Sequence, residues 1–210
     1  MPGILIAGAG DLGRQLAALV RSVEGTDVVG YLDDTMDPGT VVDGIAVLGG
    51  MDAAEQCFSD SGAEGFLVGI GYRHFAFREQ CFDRLRACAN PYTFIHPNAF
   101  VDASASVGEG SVIYAGCVLD QQCVVGENVL LNVGCSLAHD GTVGAHSFFG
   151  PGVITAGNVR IGARNFVGVG TVVSDGIRTA DDVQTGAGAV VVRDCEESGL
   201  YVGVPARLRR

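Results

Sequence analysis

Apolar positions follow two different rhythms along the chain, and the change comes near residue 94. In the first part, Ile4-Leu5-Ile6-Ala7 has the composition of a buried strand, Gly8-Ala9-Gly10-Asp11-Leu12-Gly13 is a glycine-rich turn, and Arg14-Gln15-Leu16-Ala17-Ala18-Leu19-Val20 begins an amphipathic helix. Val28-Val29-Gly30-Tyr31-Leu32 predicts a second strand, closed by Asp33-Asp34. A later strand is expected over 65–71, a helix over 77–89 and a short final strand over 92–95. Alternating strands and helices predict a small α/β domain with a parallel, Rossmann-like sheet over residues 1–94.

From residue 95 the rhythm is six. Stepping by six from Ile95 through Val101, Val107, Ile113 and onward to Thr185 meets sixteen positions, thirteen of them apolar and the others Thr. A chain that is 48% apolar would give about eight by chance. The following position is Gly at 108, 126, 144, 150, 162, 168 and 186, and otherwise mostly Asp, Asn, Ala or Ser, residues that tolerate corners. The fifth position is mostly small or β-branched, as at Ser111, Cys117, Cys123, Val129 and Cys135. Such a unit builds a short strand and a turn, and stacked units form a parallel β-helix whose inward residues run in columns. The second domain is therefore expected over 95–210, with no flexible linker before it. Its inward cysteines are expected to be packing residues.

Composition narrows the function. With 24 acidic and 13 basic residues the formal charge is −11, and every basic residue is Arg. That charge works against nucleic-acid binding, which needs a basic face. The distribution adds a detail: residues 95–159 hold no Arg, and seven follow at 160, 164, 178, 193, 207, 209 and 210, a candidate supply for an anionic ligand. No apolar run approaches a membrane span, and Met1-Pro2-Gly3-Ile4 has no basic leader, so a cytoplasmic protein is expected. Seven cysteines without paired CxxC spacing argue against a disulfide framework or a structural zinc.

Two constellations could carry chemistry. Gly8, Gly10 and Gly13, with Asp33 and Asp34 about twenty residues on, match a dinucleotide fingerprint: glycines let a phosphate approach the helix N-terminus, and the acid faces a ribose hydroxyl. A full dinucleotide fold has two halves, and this domain has room for little more than one, so a nucleotide-linked sugar fits better than NAD. Gly71 and Tyr72, after the later strand, are candidates for the same site. The second constellation centres on His139, an outward third hexad position followed by Asp140. An imidazole oriented by a carboxylate suits a general base.

The Tyr31-Leu32-Asp33-Asp34 strand end, the segment from Asn132 through Gly134 to His139-Asp140, Gly157-Asn158-Val159-Arg160-Ile161-Gly162 and the terminal Gly203-Val204-Pro205-Ala206-Arg207 together resemble the nucleotide-amino-sugar N-acetyltransferases of the bacillosamine and perosamine types. That group is similar to the sialic-acid O-acetyltransferases and falls within the hexapeptide-repeat acyltransferases. The resemblance implies a left-handed β-helix, a homotrimer and acetyl-CoA as co-substrate. It also implies no metal and a place in cell-surface polysaccharide biosynthesis. It assigns His139 as the base that deprotonates the sugar amine, Asp140 as its support, Asn132 to the acceptor site, and the Gly157 N–H to the thioester carbonyl. Coenzyme A would meet Gly157, the position of Phe148, and Arg207, with Arg160 and Arg164 as further candidates. Two departures stand out: the family often has His where this chain has Phe148 and Leu12. O-acylation of a sugar would use the same groups. A zinc enzyme like the gamma carbonic anhydrases would need three histidines, and a non-catalytic β-helix would need none.

Overall fold

The computed structural model describes residues 3–23 and 25–209, so Met1, Pro2, Glu24 and Arg210 lie outside the described residues. Two compact units divide the chain, Met1–Thr93 and Phe94–Arg210. In the first, the order is β1 (Gly3–Ala7), α1 (Asp11–Arg21), β2 (Asp27–Leu32), β3 (Val41–Val42), β4 (Ile45–Gly49), α2 (Ala54–Ser61), β5 (Gly65–Val68), α3 (Phe75–Arg86) and β6 (Asn90–Pro91). The sheet order is β3-β4-β2-β1-β5-β6, parallel except for the β3–β4 hairpin.

Side chains alternate across β1. Leu5 and Ala7 join Phe66, Val68, Phe58, Phe82 and Leu85 in a core beneath α2 and α3. Leu16, Ala17 and Val20 form the buried stripe of α1, which packs on β1 and β2. That packing depends on missing β-carbons. One added to Gly13 would overlap the Gly8 carbonyl oxygen, and one on Gly69 would stand 2.6 Å from Gly13 Cα.

The apolar pattern did not foretell α2 or the β3–β4 hairpin. Helix α2 has only eight residues and buries just Ala54, Cys57 and Phe58, too few for a helical stripe to register. The strand expected over 92–95 is corrected. Asn90–Pro91 closes the first sheet, at an edge where proline's missing N–H is tolerated, while Phe94–Ile95 pairs with Val112–Ile113 in the second unit.

The second unit is a left-handed parallel β-helix with three faces. One face stacks Phe94–Ile95, Val112–Ile113, Leu130–Leu131, Phe148–Phe149, Phe166–Val167 and Val183–Thr185, then ends in Gly199–Val202 and antiparallel Arg207–Leu208. A second runs from Phe100–Val101 to Val190–Val191, and the third from Ser106–Val107 to Arg160–Ile161. Partners such as Val112 and Leu130 are one coil, three hexads, apart. Inward Ile113, Leu119, Leu131 and Phe149 are fully buried, as are Cys117, Cys123 and Cys135. Each of these thiols donates to a carbonyl of the neighbouring coil: Asn132 at 3.1 Å, Ala138 at 3.2 Å and Gly150 at 3.3 Å.

The corners carry a further correction. Positive φ falls on the fourth hexad position, two residues after the glycines that the sequence pattern placed at corners. One corner column is Gly116, Gly134, Gly152, Gly170 and Gly188; another is Gln122, Asp140, Asn158 and Gly176; the third contains Asn128, His146, Arg164 and Asp182. The second-position glycines answer to space instead: a β-carbon on Gly108 would stand 2.5 Å from the Gly126 carbonyl carbon, and one on Gly144 2.5 Å from the Ala163 nitrogen.

Candidate active site

In the first unit, β1 lies between β2 and β5, so successive connections leave it in opposite directions. Open α/β sheets bind ligands at such a reversal, beyond the carboxyl ends of the strands. Asp33 organises the glycine turn there. Its Oδ2 accepts the Ala9 N–H at 2.8 Å, and its Oδ1 accepts the Thr35 N–H at 2.8 Å and the Thr35 hydroxyl at 2.6 Å. Burial alone would raise the Asp33 pKa, but these hydrogen bonds outweigh it and hold the carboxyl below its usual range. Gly10 caps α1 without a side chain, and a β-carbon on it would meet nothing within 4 Å, so the helix N-terminus stands open.

Gly8, Asp33, Asp34, Ile70 and Phe77 line a cavity of about 160 Å³ here. A second, of about 380 Å³, adds Asp52, Gln80 and Arg84 and shares Asp34, Met51, Phe77 and Cys81. Asp34 Oδ1 accepts the Met51 N–H at 2.7 Å. Gly71 and Tyr72 stand at the short turn leading into α3, outside the linings of these two cavities. Arg78 is a residue that sequence reasoning passed over. It is buried in α3 and donates from Nη1 to the Val68 and Ile70 carbonyls at 2.7 and 3.0 Å, fixing the end of β5, while burial pulls its pKa down to about 10. The signal was its spacing of three, four and seven from the apolar Cys81, Phe82 and Leu85.

In the second unit, His139 projects from a corner and is about half exposed. Its Nδ1 lies 2.9 Å from Asp140 Oδ2, which leaves Nε2 on the free side of the ring. Asp140 itself has φ 58°, the corner conformation that turns its carboxylate back toward the ring. The hydrogen bond to Asp140 raises the His139 pKa, and the charges of Asp140, Asp120 and Asp175 raise it further against a smaller loss to desolvation. One coil on stands Gly157, where a β-carbon would be 2.5 Å from Nε2 and 3.0 Å from Asp175 Oδ1. The Gly157 N–H has no acceptor among the described residues; it lies outside the ladder bonds that its neighbours make. A base nitrogen and a backbone donor thus share one corner, the arrangement that acyl transfer needs.

The other candidates are spread out. Asn132 sits at the preceding corner of the same coil, one face away from His139, and its Oδ1 accepts the Val133 N–H. Phe148 is buried against Phe166, with ring centroids 6.1 Å apart. His146 is also buried, its Nδ1 3.0 Å from Asn128 Nδ2, so it is packed into the third corner. Arg164 is engaged by Asp182 at 2.9 and 3.0 Å and by Asp181 at 3.4 Å. Arg207 lines a cavity of about 350 Å³ with Asp194, Glu196 and Glu197, acidic surroundings for a phosphate ligand. Arg160 is exposed on the face next to the His139 corner, and Arg178 bridges to it from the next coil.

Comparison with known proteins shows the family. The chain is 31% identical to a His-to-Asn mutant of perosamine N-acetyltransferase from Caulobacter crescentus, solved with CoA and GDP-perosamine. The match covers all of this chain and 98% of that one, with a TM-score of 0.92. The chain belongs to the nucleotide-amino-sugar N-acetyltransferases of the hexapeptide-repeat family. Residues 3–85 of this N-acetyltransferase match the PglD N-terminal domain family. The acetyltransferase domain of PglB from Neisseria gonorrhoeae, solved with acetyl coenzyme A, is 28% identical over 99% of this chain and 98% of that one, with a TM-score of 0.89. No curated protein matches the sequence. This N-acetyltransferase is an acetyl-CoA-dependent acyltransferase acting on a nucleotide-linked amino sugar. Among the described residues no group of three or more His, Cys, Asp or Glu could hold a metal ion, and no helix is long and apolar enough to cross a membrane.

Proposed function

We propose that the substrate is a nucleoside-diphosphate 4-amino-deoxy sugar, linked to GDP, UDP or dTDP, and that His139 is its general base. The observation that carries this reading is the meeting of Nε2 with Gly157 on one corner. The amine arrives largely as an ammonium and loses a proton to Nε2. Its lone pair then forms the N–C bond to the thioester carbonyl, whose oxygen the Gly157 N–H stabilises as charge develops. Collapse breaks the C–S bond, and the second amine proton follows the departing thiolate. The products are the amide and free coenzyme A. Asp140 holds the ring and stabilises the imidazolium.

The first unit holds the nucleotide in this reading, with Gly8, Gly10 and Gly13 toward the phosphates at the α1 N-terminus and Asp33 or Asp34 toward ribose or base. Gly71 and Tyr72 flank it. Binding energy spent there positions the distant amine. GDP-perosamine in the Caulobacter crescentus relative supports a purine nucleotide as the first to try. On the coenzyme A side, Arg160 with Arg178 supplies charge that no carboxylate side chain among the described residues holds, and Phe148, Arg164 and Arg207 are further contacts to test.

Assembly is a homotrimer of parallel prisms. Phe100, Val118, Ile154 and Val172 project from one face and are each more than a third exposed, with Val133 and Val169 at the adjoining corner. Ser136 interrupts the column between Val118 and Ile154, but monomeric proteins seldom leave so many large apolar side chains on one face in water. Because Asn132 and His139 flank this face, a site using both takes them from two protomers. The charged substrates place the reaction in the cytoplasm, ahead of cell-surface polysaccharide assembly. Mass spectrometry of a GDP-, UDP- and dTDP-amino-sugar panel with acetyl-CoA tests the proposal. One acetyl group added to the sugar nitrogen of at least one member is expected; thiol release without that product overturns it.

A further inference from the structure

Three carboxylates surround the catalytic imidazole, and two have structural duties. Asp140 holds Nδ1 at 2.9 Å, and Asp120 Oδ1 accepts the Gln121 N–H at 2.8 Å. The third, Asp175, is exposed and lies two coils from His139, directly beyond Gly157. Its carboxylate has no hydrogen-bond partner among the described residues. Its Oδ1 and His139 Nε2 approach one point beside Gly157, at 3.0 and 2.5 Å from where a β-carbon would be. Between them Gly157 presents only backbone, with no side chain of its own.

A gap bounded by an imidazole nitrogen and a carboxylate oxygen suits a group with several N–H donors and a positive charge. An ammonium is such a group, and a hydroxyl is not. We propose that Asp175 is the residue that binds the ammonium of the incoming amino sugar, holding its nitrogen against Nε2 until the proton is transferred, and so helps to select amine over hydroxyl acceptors. The carboxylate accepts one ammonium hydrogen and takes no proton; the proton that leaves goes to Nε2. Charge-assisted hydrogen bonds of this kind are the strong ones. The inference rests on His139 being the base.

The groups facing His139 are Asp140, Asp120 and Asp175, so removing one charge has a readout independent of substrate. In Asp175→Asn, the His139 Cε1–H resonance, assigned by its loss in His139→Asn, should titrate at lower pH than in the unaltered enzyme. Kinetics supply the direct test, using whichever of the GDP-, UDP- or dTDP-linked 4-amino sugars the unaltered enzyme acetylates. Asp175→Asn should raise KM for that sugar by about 10- to 100-fold and leave KM for acetyl-CoA unchanged. Asp175→Glu should recover part of the loss. The matching 4-hydroxy sugar nucleotide, as a competitive inhibitor, should bind both enzymes equally. Unchanged sugar KM in Asp175→Asn, or equal weakening of the hydroxy analogue, overturns the role of Asp175 while the base assignment stands. An active His139→Asn overturns the base assignment itself. Melting curves of each variant identify any loss caused by unfolding, and Asp175 is exposed enough for none to be expected.

Discussion

His139 and Gly157 occupy the same corner on adjacent coils, and the imidazole fills the space that a β-carbon on Gly157 would need, 2.5 Å from Nε2. Gly157→Ala should therefore push the ring aside without disturbing the buried columns. A displacement near 1 Å costs about 100-fold in turnover. The expected result is a kcat lower by about that factor with a melting temperature close to the parent's, read by steady-state kinetics and calorimetry.

His139→Asn should lower kcat by about 10²- to 10⁴-fold with little change in ligand binding, and Asp140→Asn should cost less, since it misdirects the base without deleting it. The carboxylates that raise the His139 pKa set the pH profile. The neutral ring is the active form, so kcat/KM should fall as pH drops through a value above 6.5, the ordinary histidine value. Any stability from the charged His139–Asp140 pair has the opposite sign: it is full below the ordinary value and is lost as pH rises through the raised one. Both groups are exposed, so added salt should move the kinetic limb back toward the ordinary value.

Arg160→Ala and Arg178→Ala should each raise KM for acetyl-CoA about tenfold, as loss of one charge-assisted phosphate contact does. Arg164→Ala should act on stability instead, because its guanidinium is held by Asp181 and Asp182. Initial rates at varied acetyl-CoA separate the two outcomes.

Ile154→Glu and Val172→Glu, on the exposed apolar face, should convert a trimer to folded monomers in sedimentation velocity and abolish transfer. Active monomers of either variant would contradict a site shared between protomers.

Gly13→Ala should destabilise the first unit by about 3 kcal/mol, since its β-carbon would meet the Gly8 carbonyl, a backbone atom with little room to give. Gly10→Ala meets nothing and should be tolerated by the fold. Chemical denaturation distinguishes them, and a loss of nucleotide affinity confined to Gly10→Ala would mark the open helix terminus as the phosphate site.

The sequence by itself determined the two-part architecture, because each coil must present inward residues at a fixed period of six and a parallel sheet needs strand, turn and helix in order. It also marked His139 beside Asp140, since neighbours in sequence are neighbours in space. It could not say which glycines turn corners and which avoid collisions, because φ and close approach are properties of the stacked coils. Only the tertiary structure showed that Asn132, seven residues from His139, stands one face away, whereas Gly157 and Asp175 come to its side. Stacking brings together residues one and two coils apart and separates those about a third of a coil apart. The inward turn of Arg78 and the capture of Arg164 by two aspartates were decided the same way, by partners distant in sequence.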